Sequence, residues 1–279
     1  MAATSRWTEV GDRVFVRRYA FHDQNIGVVL GRDAALLIDT RTTYPQAREI
    51  LEDLRSLTSS PVEVVVDTHG HYDHAFGNRV FRPVTIWGHV GCGPFMERTA
   101  DVRRPRMIAE LPDLSDDLRE VEIDPPDRTF EERANAEVGG REVVLRFLGR
   151  GHTDHDAVVI VPGTGVVFAG DLLENGAVPA FSDAYPMEWP ETVERLVPLV
   201  GSIAIPGHGD PGGPDWVRQQ AGELRALADL GRRIASDELD LDEAVAMTPW
   251  PAYPAEDVRR PLKRAAAHAR SELTGAAPT

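Results

Sequence analysis

Short apolar runs separated by polar or glycine-containing breaks dominate the first third of the chain. Residues 14–19 (VFVRRY), 26–31 (IGVVLG) and 34–39 (AALLID) are spaced as the strands of an antiparallel meander. Over residues 44–57, Ala47, Ile50, Leu51, Leu54 and Leu57 recur at the helical period, and residues 62–68 (VEVVVDT) return to strand composition. This pattern predicts a β-β-β-α-β half that ends at His69. An interval punctuated by Pro94, Pro105, Pro112, Pro125 and Pro126 follows. Strands are expected again at 142–148, 157–162 and 165–171, a helix at 190–200, and a short strand running into a loop at 203–210. From 214 onward the spacing is helical. The expected organisation is a domain over residues 1–212, with an irregular acidic insertion at 97–137, and a helical extension over 213–279 packed on it.

Composition narrows the class. At 279 residues, 42% hydrophobic and 27% charged, the chain has the balance of a folded globular protein with one large α/β domain and an appendage. No run approaches the ~20 apolar residues of a membrane span, and the opening has no apolar core of leader length. A cytoplasmic protein with no membrane partner is expected. The formal charge of −15 argues against nucleic acid and leaves a small molecule as the expected substrate. Residues 110–137 hold eleven Asp/Glu against three Arg, which reads as a solvated excursion. Cys92 is the only cysteine and is expected to pack rather than react. The oligomeric state is not legible.

The chemistry gathers in histidines. His69, His71 and His74 stand with Asp73 in THGHYDH directly after a strand; His152 follows a glycine in GRGHTDHD, and His208 does so in PGHGD. Asp171 ends the strand FAGD. Loops just outside strands can bring such side chains to one edge of a sheet, where imidazole nitrogens and carboxylate oxygens suit Zn²⁺. Three histidines and one shared aspartate suffice for one ion, and Asp73, His74, His208 and the other Asp171 oxygen for a second. His22, His89 and His268 read as surface or packing residues, and His155 as a loop residue or a support behind the ligands. Gly70, Gly151, Gly170, Gly207 and Gly209 are expected to allow close backbone approach or positive φ.

In this order, THGHYDH (68–74), GHT (151–153), GD (170–171) and GHG (207–209) resemble the metallo-β-lactamase superfamily, over residues ~10–212. The resemblance implies a four-layer αββα sandwich with a dinuclear site at one edge, here followed by the helical extension. It implies that His69, His71 and His152 hold one zinc, Asp73, His74 and His208 a second, and that Asp171 bridges them. Asp39 would buttress the metal loop without ligating. The implied reaction is hydrolysis by a metal-bridging hydroxide, with Asp73 also handling a proton. Zinc β-lactamases with this opening motif lack the bridging aspartate, so the chain looks more like the glyoxalase II, lactonase and phosphodiesterase branches. A small ester, thioester or lactone is the leading substrate class, with β-lactamase or phosphodiesterase activity further alternatives. An iron-dependent persulfide dioxygenase, with Fe or mixed Fe/Zn, is the alternative of another class. The segment 172–189 is expected to wall the substrate pocket, with Tyr185 offering a phenol to the substrate oxyanion. The acidic insertion would form the opposite wall and disfavour anions.

Overall fold

A computed structural model describes residues 7–274. Residues 1–6 and 275–279, the outer ends of both expected domains and the start of the segment read for a leader, lie outside the described residues. The chain opens with β1 (Thr8–Gly11), β2 (Val14–Tyr19), β3 (Gln24–Leu30), β4 (Ala35–Ile38), α1 (Tyr44–Leu54) and β5 (Val62–Val66). The expected half is therefore present, with β1 added in front. α1 starts where the Thr43 side chain accepts the Gln46 N–H and Pro45 fills the first turn; Ala47, Ile50 and Leu54 form its buried stripe.

Next come α2 (Tyr72–Ala75), β6 (Thr85–His89), α3 (Cys92–Glu110), α4 (Ser115–Glu120), β7 (Arg128–Phe130) and β8 (Arg133–Val138). The irregular insertion expected at 97–137 is corrected: most of that stretch is regular. α3 runs through Pro105, and β7 and β8 join the main sheet beside β6 and β9 (Arg141–Phe147). Nor is the segment simply solvated, since Leu118 and Val121 pack with Phe76, Ala100 and Met107. Arg82 ties down its acidic stretch, pairing with Asp124 at 2.8 Å and with Asp127.

The remainder is β10 (Ala157–Val161), β11 (Val166–Glu174), α5 (Trp189–Leu196), β12 (Ile203–His208), α6 (Pro214–Ala235), α7 (Leu241–Ala246) and α8 (Ala255–Thr274). The strands run in the order β7-β6-β5-β4-β3-β12-β11-β10-β9-β8, with β2 also on β3, and a single pairing of His208 with Gln24 joins the halves. Side chains alternate across a strand, so each half has two apolar faces. Leu36, Ile38, Val64 and Val66 of one half meet Val159, Val161, Val166 and Phe168 of the other in the inner core. On the outer faces, Leu37 and Val65 pack under Ile50 of α1, and Val158 and Val167 pack under Val193 and Leu224 of α5 and α6. Two sheet layers thus lie between two helical layers, with α8 packed on α6. Among the described residues no helix is long and apolar enough to cross a membrane.

Candidate metal centre

The chemistry-bearing loops share one sheet edge. β4 and β5 run parallel, as do β11 and β12, so the loop 67–74, Asp171 and His208 emerge together; the β9–β10 turn brings His152 to the same edge. Gly170, at φ +54°, and register shifts on both sides of it bend β11 beside Asp171. At Gly207 a Cβ would lie 1.8 Å from Asp171 Oδ1, so only glycine lets β12 pass that carboxylate.

Ligand atoms of His69, His71, His152 and Asp171 lie within 4.8 Å of one another, and those of Asp73, His74 and His208 do likewise. Asp171 faces both groups. Its Oδ2 is 3.8 Å from His69 Nε2 and 3.5 Å from His152 Nε2, while its Oδ1 is 3.2 Å from His74 Nε2 and 3.3 Å from His208 Nε2. Asp73 Oδ2 is 3.3 Å from His208 Nε2 and 3.6 Å from His74 Nε2.

Each of the five imidazoles has one nitrogen on a fixed acceptor. His69 Nδ1 meets Thr68 Oγ1 (3.1 Å), His71 Nε2 meets Asp183 Oδ2 (3.1 Å) and His74 Nδ1 meets Asp39 Oδ2 (2.8 Å). His152 Nδ1 meets the Ala180 carbonyl (3.1 Å), and His208 Nδ1 the His22 carbonyl (2.7 Å). The Thr68 hydroxyl gives its own proton to Asp39, so it accepts from His69. These contacts assign the N–H to the outer nitrogen of every neutral ring and turn the other lone pair inward. The inward nitrogens crowd together: His71 Nδ1 is 3.0 Å from His69 Nε2 and 2.8 Å from His152 Nε2, and His74 Nε2 is 3.3 Å from His208 Nε2. The lone pairs of His69, His71 and His152 repel at such distances unless a cation sits among them, and Asp171 Oδ1 is buried without a hydrogen-bond partner. The donor set of imidazoles and carboxylates fits divalent ions such as zinc.

Electrostatics separates the two groups. Burial holds His69 and His152 below their ordinary basicity. At His74 and His208 burial acts the same way, but Asp171 and Asp73 override it and hold both rings well above the ordinary value. Burial alone would raise Asp73 and Asp171; the neighbouring histidines reverse this and hold both carboxyls below the usual range. A cation entering the second group therefore displaces protons.

Behind the ligands, Asp39 accepts the Thr68 N–H at 2.8 Å as well as the His74 proton, from a backbone at φ +65°. His155 Nε2 accepts the N–H of Gly70, between two of the histidines, at 3.1 Å while its Nδ1 lies 2.7 Å from Asp154. His155→Ala leaves that buried N–H unpaired, and a stability loss of ~1–3 kcal/mol is expected in chemical denaturation, with metal content unchanged. Sequence reasoning missed Asp183, which Arg103 Nη2 also holds at 2.9 Å. Its only signal was a carboxylate within the loop already expected to wall the site. The carbonyls of Ala180 and His22 had no signal at all.

A cavity of about 910 Å³ opens over the two groups. The expected walls both contribute, Val178 and Phe181 from the loop after β11 and Arg103 and Met107 from α3; Tyr253 and Arg260, just before α8 and within it, add a third. The expectation that the acidic segment presents an acidic wall is corrected, because α3 turns Arg103 and Arg106 as well as Glu110 to the cavity. Glu174 was also missed. It lines the cavity, and burial together with Asp171 pushes its carboxyl up to about 7.

Tyr185 is not among the cavity's lining residues, contrary to expectation. Its N–H donates to the Gly151 carbonyl at 2.8 Å and its carbonyl begins the turn into α5, which carries the ring to the outer flank of the β9–β10 loop. There its hydroxyl donates to Asp154 Oδ2 (3.2 Å) under the Arg150 guanidinium. Tyr185→Phe should accordingly leave kcat/KM within about twofold of the unaltered protein in a steady-state assay. Trp189 packs in the core, its indole N–H donating to the Leu172 carbonyl at 3.1 Å.

The sequence profile of the metallo-beta-lactamase superfamily matches residues 20–208. The metallo-beta-lactamase type 2 of Bacillus cereus is 24% identical over 192 residues, 67% of each chain. Among solved structures, a metallo-beta-lactamase from Pontibacter korlensis aligns with TM-score 0.63 and 22% identity over 78% of this chain and 98% of its own. A double mutant of the sec-alkyl sulfatase PisA1 aligns with TM-score 0.74 and 18% identity over 97% of this chain and 50% of its own.

Proposed function

Because the chain belongs to the metallo-β-lactamase superfamily and is a metal-dependent hydrolase, we propose that it cleaves a small ester, thioester or lactone at a dizinc site. His69, His71 and His152 hold one ion in this reading, Asp73, His74 and His208 the other, and Asp171 both. The observation that carries it is the Asp171 carboxylate with one oxygen toward each group. Bound there, two divalent cations supply a nucleophile from water at neutral pH and draw electrons from the attacked carbonyl. The chain's own residues do the rest. Asp183, Asp39, Thr68 and two carbonyls hold the imidazoles in one tautomer, and the Asp73 carboxylate also handles a proton. Phe181 and Val178 on one wall and Met107 on the other give the cavity apolar surface that holds back water. Opening a lactam, as the names of the relatives suggest, ranks below an ester because Asp171 is a departure from the zinc β-lactamase pattern. A single iron would leave Asp73, His74 and His208 without a role, which ranks the dioxygenase lower.

Sulfate esters are a second reading with its own support. The likeness to the sec-alkyl sulfatase extends over 97% of this chain, through the helices whose last member walls the cavity, and Arg103, Arg106 and Arg260 face that space. Metal analysis of protein purified without added metal, followed by a screen of p-nitrophenyl acetate, a thioester, a γ-lactone, an alkyl sulfate and a β-lactam, tests both. Two zinc per chain and turnover of a carboxylic ester, thioester or lactone are expected, lost on chelation and restored by zinc. Turnover of the alkyl sulfate alone favours the second reading. One iron per chain with oxygen uptake on a persulfide overturns both.

A further inference from the structure

The cavity wall beside the second group carries a pair that the ligand set does not use. The Tyr72 hydroxyl and His22 Nε2 are 3.0 Å apart, and both residues line the cavity. The His22 ring centre is 6.4 Å from that of His208, whose Nδ1–H its carbonyl accepts. His22 was expected to be a surface or packing residue; it is exposed, and in addition its backbone serves a candidate ligand and its ring lines the cavity.

Counting protons shows what the pair can do. A phenol has one O–H and a neutral imidazole one N–H, and a single mutual hydrogen bond uses one of the two. If Nε2 carries the ring proton, it donates to the phenol oxygen and the O–H remains. If Nδ1 carries it, the phenol donates to Nε2 and the Nδ1–H remains. Ring protonation would add one more donor. No hydrogen-bond partner for that remaining proton occurs among the described residues, so it is left to solvent or to whatever displaces solvent from the cavity.

The backbone is arranged to keep the pair in place. His22 and Asp23 both have φ +56°, a conformation that costs a non-glycine residue ~1–3 kcal/mol and persists only where neighbours enforce it. The Asp23 carboxylate pairs with Arg18, and its carbonyl accepts the Gly209 N–H at 2.9 Å, one residue beyond His208. The same turn therefore sets a carbonyl on His208 and an imidazole on Tyr72.

We propose that the Tyr72–His22 pair donates a hydrogen bond to a substrate oxyanion on the His208 side of the cavity, the task expected of Tyr185. This rests on the hydrolase reading: a fixed donor matters most where negative charge develops out of contact with water. Tyr72 and His22 act as one unit, since removing either leaves the other without its orienting partner.

The test uses zinc-loaded protein and methylphosphonate, a stable tetrahedral oxyanion, titrated calorimetrically into the unaltered chain, Tyr72→Phe, His22→Asn and the double variant, with zinc content recorded. Asparagine tolerates the left-handed backbone, so the carbonyl on His208 survives. Tyr72→Phe is expected to keep both zinc ions and to bind the probe about tenfold more weakly or worse, as loss of a hydrogen bond to a charged group implies. The double variant should bind no more weakly than the weaker single one, because the two changes remove one interaction. Affinity within about twofold of the unaltered protein in Tyr72→Phe overturns the proposal, since a charged hydrogen bond is worth more than that. So does loss of zinc from that variant, which would make the pair part of the metal site itself. If the probe series behaves as expected and the unaltered protein cleaves no carboxylic ester, thioester or lactone in the screen, the proposed substrate class fails and the donor pair stands.

Discussion

Asp171→Asn should leave at most one zinc per chain and lower kcat/KM by ~10³-fold or more, because dinuclear catalysis needs both ions in place. The aspartate presents one oxygen to the His69/His152 pair and the other to the His74/His208 pair, at 3.2–3.8 Å from their ring nitrogens. Asparagine keeps the shape and replaces one oxygen by an NH₂ group, which cannot ligate and points hydrogens at a cation or at an imidazole. It also removes a negative charge from a buried site that, in the proposed reading, would hold two dications. Atomic emission on the purified variant and steady-state kinetics measure the outcome, with circular dichroism as the check on folding. Two zinc retained and a rate within tenfold would show that Asp171 does not bridge.

For Asp73→Asn a smaller but still large effect is expected, ~10²-fold in kcat, with the fold intact. Its carboxylate faces only the second group, and its backbone is held independently by Gln24, whose side-chain amide donates to the Asp73 carbonyl. The first ion should therefore stay while the second binds weakly. His155→Ala, which touches the backbone behind the ligands, should lower stability more than rate. Equal loss of rate from both variants, with unchanged circular dichroism, would contradict the division into ligands and supports.

The elements legible in the sequence are those that sit wholly against apolar neighbours or bury one regular stripe. β4 and β5 bury both faces, Leu36 and Val64 inward and Leu37 and Val65 outward, so each reads as a short apolar run, while α1 buries one stripe at a period of 3.6. α3 left no such trace. Its buried residues Phe95, Met96, Ala100 and Met107 pack against different neighbours, Arg103 and Arg106 face the cavity, and Pro105 interrupts its hydrogen bonding. β7 is three residues long and pairs only with β6, too short for any period to show.

By itself the sequence determined which side chains can ligate. Histidines are few, nine in the chain, and the motifs that hold five of them stand behind strands in the order of the family they resemble, so that His69, His71, Asp73, His74, His152, Asp171, His208 and the supporting Asp39 are all readable as candidates before folding. Only the tertiary structure decided which nitrogen of each ring faces inward, because the acceptors that decide it include the carbonyls of Ala180 and His22, and every residue has a carbonyl. It also decided that α8, far along the chain, walls the cavity, and that the phenols there belong to Tyr72 and Tyr253 and not to Tyr185. A tyrosine's reach depends on where its backbone hydrogen bonds send it, and those bonds join residues such as Tyr185 and Gly151 that no local pattern connects.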